Sequence, residues 1–214
     1  MSIKDNLALI YRMIIVIVSG IGLYLNFKFE TVRMGILYFT NISNLMCFLY
    51  FLGVVIAMIT HKLKKNDFYY LSKGMVTMSI TLTYVVYNLL LSNSGTVSIF
   101  DNHELETTLV HIIVPLLVIF DYVIFGTKGN LKKNYPYIWS SILIIYQLFI
   151  SIYSSLGGRF LNGDKYPYFY MDVSKYGVRN VVISSLIILV FYIGYGSIIQ
   201  TLDNKLAEVR AKKK

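Results

Sequence analysis

Apolar side chains fill six stretches of the chain, at 7–27, 34–60, 69–92, 107–126, 136–156 and 177–201, and polar residues gather between them. Runs such as MIIVIVSGIGLYL and VVISSLIILVFYIGY are apolar on every side. They lack the alternation of a half-buried strand, and each stretch is near the ~20 helical residues that cross about 30 Å of hydrocarbon. A transmembrane barrel needs alternating segments of ~10 residues instead. The pattern predicts an all-α integral membrane bundle of six transmembrane helices, one domain over 1–214. The first stretch is too long for a signal-peptide core and has no small-x-small cleavage site, so it is read as a helix.

Composition narrows the class further. The 214 residues are 56% hydrophobic and 14% charged, where soluble domains carry about 25% charged residues. The mean hydropathy is +0.61. A soluble globule of this size cannot hide so much apolar surface, and disorder requires the opposite composition. The single cysteine, Cys47, excludes a disulfide framework, and three histidines argue against a multi-histidine metal cage. No glycine-rich phosphate loop, Gly-x-Ser-x-Gly elbow or His-Glu-x-x-His motif is present. No metal and no cofactor are therefore expected.

The net charge of +9 reads as an orientation signal rather than a nucleic-acid footprint. Lys62, Lys64, Lys65 and Lys73 are assigned to the second–third connection, and Lys128, Lys132 and Lys133 to the fourth–fifth. Lys205, Arg210, Lys212, Lys213 and Lys214 form the tail. The third–fourth connection instead carries Asp101, Glu104 and Glu106, and the remaining two are mixed. This bias predicts both termini in the cytoplasm. Arg12, near the inner end of the first span, is expected to snorkel to the headgroups and is given no function. The outer stretch 157–176, with its Tyr166-Pro167-Tyr168-Phe169-Tyr170 run, reads as an interfacial aromatic belt or a flap over an outer-leaflet site.

Polar side chains inside spans are costly, so their grouping is informative. Thr40, Ser43, Asn44 and Cys47 share one face of the second span. Thr40 lies about 9 Å, and His111 about 6 Å, below the outer ends of their spans at 1.5 Å per residue. The third-span stripe Thr77, Thr81, Tyr84, Asn88 ends close to the same surface. The inner half has no comparable gathering, and Asp121 and Gln147 stand alone there. Pro115 follows His111 by four residues and cannot donate to its carbonyl, so a kink is expected beside the imidazole. Each residue also has an ordinary reading: a threonine that bonds its own helix, asparagines as interhelical links, a buried neutral histidine held by one hydroxyl.

Among these groups a hydroxyl and an imidazole form the one pair capable of covalent chemistry. An imidazole takes the proton of the Thr40 hydroxyl during attack on an acyl carbon and returns it to the leaving group. Oxyanion or substrate-binding candidates are the amides of Asn41, Asn44 and Asn88 and the phenols of Tyr84 and Tyr87. Asp172, in the outer loop, is a candidate to orient His111. A site at this depth favours a substrate arriving through lipid, such as a long-chain ester. The expected partners are membrane lipids; neither nucleic acid nor an obligate protein partner is indicated.

Tyr38-Phe39-Thr40-Asn41-Ile42-Ser43-Asn44-Leu45 resembles the second-helix motif of the androgen-induced protein and androgen-dependent TFPI-regulating protein family, in particular its bacterial six-span members. His111-Ile112-Ile113-Val114-Pro115-Leu116-Leu117, followed by Asp121, resembles that family's histidine-proline helix. Tyr87-Asn88 and Tyr166-Pro167-Tyr168 with Asp172 fit the same order across nearly the whole chain. The resemblance implies a transmembrane threonine hydrolase of fatty acid esters of hydroxy fatty acids, with Thr40 as nucleophile and His111 as base. It also implies a multi-pass protein of a bacterial plasma membrane. The proline follows the histidine by four residues here, where five are expected in animal members. Two other classes use the same residues: a small-solute or proton-coupled transporter built on the polar cluster, and a scaffold in which that cluster only packs. An acyltransferase shares the acyl intermediate of the hydrolase.

Overall fold

A computed structural model describes residues 2–29, 35–91, 102–160 and 163–212. The expected start of the second span at 34, the end of the third at 92, and Glu30, Arg33, Asp101, Lys213 and Lys214 lie outside the described residues. The described chain is helical, and no strand occurs within it. Helix α1 is Ile3–Phe29, α2 is Phe39–Ile59, and α3 is Asp67–Val86, prolonged by a π-helical turn at Tyr87–Leu91. Helix α4 (Asn102–Thr108) runs through a π-helical segment, Leu109–Ile113, into α5 (Val114–Phe125). Helix α6 is Tyr135–Ser155, a 3-10 turn covers Phe169–Met171, and α7 is Val173–Ala211.

Five of these helical stretches among the described residues are long and apolar enough to cross a membrane: Ile3–Lys28, Phe39–Ile59, Leu105–Phe125, Tyr135–Ser155 and Val173–Ala211. Helix α3 is more polar, because it carries Lys73, Thr77, Ser79, Thr81 and Thr83. On α1 the side chains of Leu7, Ile10, Ile14, Ile17, Ile21 and Tyr24 are exposed at helical spacing. An uninterrupted apolar stripe of this kind is stable against lipid and not against water. The molecule is an all-helical, multi-pass membrane protein.

The chain divides into two compact units, residues 1–127 and 128–214. In the first, α1 packs on α2, α4 and α5, while α3 packs on α2 and α5. Its core joins Ile15, Cys47, Phe51, Val76, Ile80, Val114 and Val118. In the second, α6 packs on α7. The Asp172 carboxylate caps α7 by accepting from the Ser174 and Lys175 N–H groups. The first turn of α7 ends in a kink at Gly177, whose φ of +76° suits glycine, and the longer part of the helix follows it. At the other end the Asp203 carboxylate takes the Gly129 N–H and pairs with Lys128, fastening the 128–131 segment to α7.

Three charged residues depart from the expectation. Arg12 does not snorkel: it is 3% exposed, and its Nε lies 2.9 Å from Asp121 Oδ1. Lys73 does not belong to the second–third connection; it sits within α3, buried, with Nζ 2.6 Å from Asp121 Oδ2. Asp121 is thus the centre of a cluster and does not stand alone. The snorkelling expectation weighed only the cost of a lone buried charge, whereas a partner on a neighbouring helix removes much of that cost.

Candidate active site

Thr40 is the second residue of α2, nearer the helix end than the sequence pattern placed it. Residues Gly35–Tyr38 form a turn, closed by the Tyr38 N–H on the Gly35 carbonyl, and α2 starts only at Phe39. First-turn N–H groups have no intrahelical acceptor and carry the positive end of the helix dipole. The Asn41 and Ile42 N–H groups both use the Tyr38 carbonyl. The Thr40 N–H has no acceptor among the described residues.

His111 lies in the π-helical segment between α4 and α5. The Val114 N–H reaches back five residues to the Leu109 carbonyl. In that register the next donor would be Pro115, which has no N–H, so the carbonyl left over is that of Val110. The expectation that His111 itself loses its carbonyl partner assumed an α-helical register. The Asn44 amide from α2 donates to the Val110 carbonyl at 3.0 Å and to the Thr40 carbonyl at 2.9 Å. One side chain therefore ties the widened turn to the residue it faces. Helix α1 approaches the same turn at Gly22, where an added Cβ would lie 3.1 Å from Val110 Cγ1.

These elements bring Thr40 Oγ1 to 3.3 Å from His111 Nε2. The distance is long for a hydrogen bond to an imidazole but within the range seen before substrate is engaged. The opposite ring nitrogen, Nδ1, is 3.0 Å from the Thr107 carbonyl. A carbonyl only accepts, so Nδ1 carries the proton and Nε2 presents a lone pair to the threonine hydroxyl. Tyr87 stacks on the imidazole, with ring centroids 4.1 Å apart and planes 23° apart. The ring is thus fixed by a stack on its face and by hydrogen bonds at two edges.

The other candidates divide. Both hydrogens of the Asn44 amide are engaged, as are both of Asn41, which donates to Asn26 Oδ1 at 2.7 Å and the Gly35 carbonyl at 2.8 Å. The Asn26 amide in turn donates to the buried Glu106 carboxylate. Asn41 therefore anchors the start of α2 to α1 and α4. Asn88 is exposed and donates to the Tyr84 carbonyl of its own helix. Tyr84 is half-buried, one turn before Tyr87. Asp172 belongs to the second unit, and its carboxylate is occupied by the α7 cap.

Three contributors escaped the sequence pattern. Thr107 acts through a main-chain carbonyl and the Thr40 N–H through the backbone, where side-chain chemistry gives no sign. Thr83, whose Oγ1 is 2.8 Å from Ser43 Oγ, links α3 to α2 in place of the expected stripe member Thr81, which bonds back to the Thr77 carbonyl. The one sequence sign of a late helix start is Gly35, five residues before Thr40. Replacing Asn44 by leucine leaves the Val110 and Thr40 carbonyls without its amide. We expect this to destabilise the fold by about 1–3 kcal/mol, read as a lower thermal midpoint in detergent.

Compared with family models, curated proteins and solved structures, the chain matches none.

Proposed function

We propose that the protein is an intramembrane hydrolase of long-chain lipid esters, with fatty acid esters of hydroxy fatty acids as the first substrate class to test. The observation that carries the reading is the Thr40 hydroxyl beside the unprotonated Nε2 of a histidine whose Nδ1–H is held by the Thr107 carbonyl. The resemblance in sequence assigns the same two residues the roles of nucleophile and base.

The reaction follows from this arrangement. As Thr40 Oγ1 attacks the ester carbonyl carbon, its proton passes to His111 Nε2. The imidazolium that forms keeps its Nδ1–H on Thr107, a neutral acceptor in place of the carboxylate of serine-protease triads. Negative charge develops on the former carbonyl oxygen. The Thr40 N–H, at the positive end of α2, is the donor for it, in the way a nucleophile's own amide serves in serine hydrolases. Collapse of the tetrahedral intermediate breaks the bond to the alcohol oxygen, which takes the proton from Nε2. Water then attacks the threonine ester with His111 again as base, releasing the fatty acid and restoring the hydroxyl. An alcohol in place of water would make the same site an acyltransferase.

The membrane arrangement belongs to the same proposal. Helix α3 is the third of six spans, both termini are cytoplasmic, and the Thr40–His111 pair lies in the outer half of a bacterial plasma membrane. Exposed Lys62, Lys64 and Lys65 between α2 and α3 support the orientation.

A fluorophosphonate probe tests the proposal directly. The wild-type protein should be labelled, with the adduct mapped to Thr40, and Thr40→Ala and His111→Ala should remain unlabelled. Undiminished labelling of either variant removes the pair from the chemistry.

A further inference from the structure

In the reaction proposed above His111 takes a proton, and a neutral imidazole becomes a cation inside a membrane protein. Its ring nitrogens meet the Thr40 hydroxyl and the Thr107 carbonyl, and among the described residues no carboxylate bonds to the ring. The buried carboxylates described in this unit are engaged elsewhere, Glu106 with Asn26 and Asp121 with Arg12 and Lys73. A new buried charge without a counter-charge is costly, so another group has to favour the protonated ring.

The face of the Tyr87 ring is in place to do so. Its centroid is 4.1 Å from that of the imidazole, with the planes 23° apart. An aromatic face carries negative potential. A cation over it is attracted, most strongly where water is displaced. A neutral imidazole gains only stacking from the same contact. The contact is therefore stronger after proton transfer than before it, which is the condition for lowering a barrier and not merely binding.

The fold sets this placement from both sides. Tyr87 opens the π-helical turn that prolongs α3, and His111 sits in the π-helical segment between α4 and α5, so two widened turns meet at the ring stack. Turns of this kind are uncommon and recur at functional sites. The Tyr87 N–H is shared between the Thr83 and Tyr84 carbonyls. Thr83 Oγ1 in turn lies 2.8 Å from Ser43 Oγ on α2, and the Ser43 hydroxyl donates to the Thr40 carbonyl at 2.9 Å. The stacking ring is thus held in register with the helix that carries the Thr40 hydroxyl.

We propose that the Tyr87 ring stabilises the protonated form of His111 by a cation–π contact and so lowers the barrier to acyl transfer onto Thr40. The inference rests on the hydrolase reading and deepens it. In this role Tyr87 acts through its ring face and not as the phenolic oxyanion donor considered from the sequence.

The test follows fluorophosphonate labelling of the full chain in nanodiscs over a range of probe concentrations, which separates the rate at saturation from the half-saturating concentration. In the labelling step Thr40 Oγ1 bonds to phosphorus, fluoride leaves, and the hydroxyl proton passes to His111. Tyr87 is replaced by phenylalanine and by its ring-monofluorinated, difluorinated and trifluorinated forms. Each fluorine withdraws charge from the ring face while barely altering its shape, and thermal melting checks that the fold is kept. The saturated rate should fall in steps, by about tenfold over the series, with the half-saturating concentration little changed. Tyr87→Leu should be slowed at least as much, and Tyr87→Phe should restore most of the rate lost in Tyr87→Leu. The proposal is overturned if the rate is constant across the fluorinated series, since a ring that only packs is indifferent to the charge on its face. It is equally overturned if Tyr87→Phe is as slow as Tyr87→Leu, which assigns the effect to the phenol. A wild type that takes no label removes the hydrolase reading and this one with it, whereas a labelled wild type with a flat series removes only the role of Tyr87.

Discussion

Thr40→Ala is expected to lower the hydrolysis of a fatty acid ester of a hydroxy fatty acid by about 10⁴-fold, into the range where only binding and oxyanion stabilisation remain. The loss follows from the geometry. Thr40 Oγ1 is the side-chain hydroxyl that meets His111 Nε2, and the neighbouring Ser43 hydroxyl is turned to the Thr40 carbonyl and to Thr83. Among the described residues no second alcohol is hydrogen-bonded to the imidazole. His111→Ala should lose activity to a similar degree. The double variant should be little worse than either single one, because groups that act as one unit do not contribute additively. Thr40→Ser keeps the hydroxyl and removes one methyl group, so it should retain measurable turnover. Initial rates of fatty acid release from protein in nanodiscs, with folding checked by thermal melting, give the comparison. Additive losses, or a Thr40→Ala rate within a few-fold of wild type, would mean that the two residues do not act together.

Much of this site was legible in the sequence because helical periodicity converts residue numbers into depth. Thr40 and His111 fall near the starts of the second and fourth spans, which run in the same direction in an alternating bundle, so the two side chains reach a similar depth. What the pattern missed depends on departures from α-helical regularity. It placed the start of the second span at 34, whereas Gly35 and the extended Tyr38 delay the helix to Phe39. That shift puts Thr40 in the first turn, where its own N–H is unused. The pattern also assumed a four-residue register before Pro115. The π-helical segment moves the unpaired carbonyl to Val110, and Asn44 is spent on it rather than on an oxyanion. Wide turns of this kind are set by competition between a proline and interhelical partners, which no hydrophobic pattern encodes.

The charged junction was misread for a different reason, and it leads to the second large effect. Arg12, Lys73 and Asp121 were weighed one at a time, and a lone basic residue near a helix end is ordinarily read as snorkelling. The carboxylate that holds Arg12 is 109 positions away in the chain, and only the packing of α1, α3 and α5 brings the three together. Removing that carboxylate should be severe. In Asp121→Leu, Arg12 and Lys73 both lose the carboxylate that joins them in the interior, and the cost of breaking a buried ion pair is about 3–5 kcal/mol. The thermal midpoint in detergent should fall sharply, by far more than in Lys73→Met, which leaves a paired charge. Replacing all three residues together, Arg12→Leu with Lys73→Met and Asp121→Leu, removes the uncompensated charges and should recover most of the lost stability. Recovery in the triple variant separates electrostatics from lost packing, since a cavity effect would grow with each truncation. An Asp121→Leu protein as stable as the wild type would show that the cations shed their charge or reach solvent.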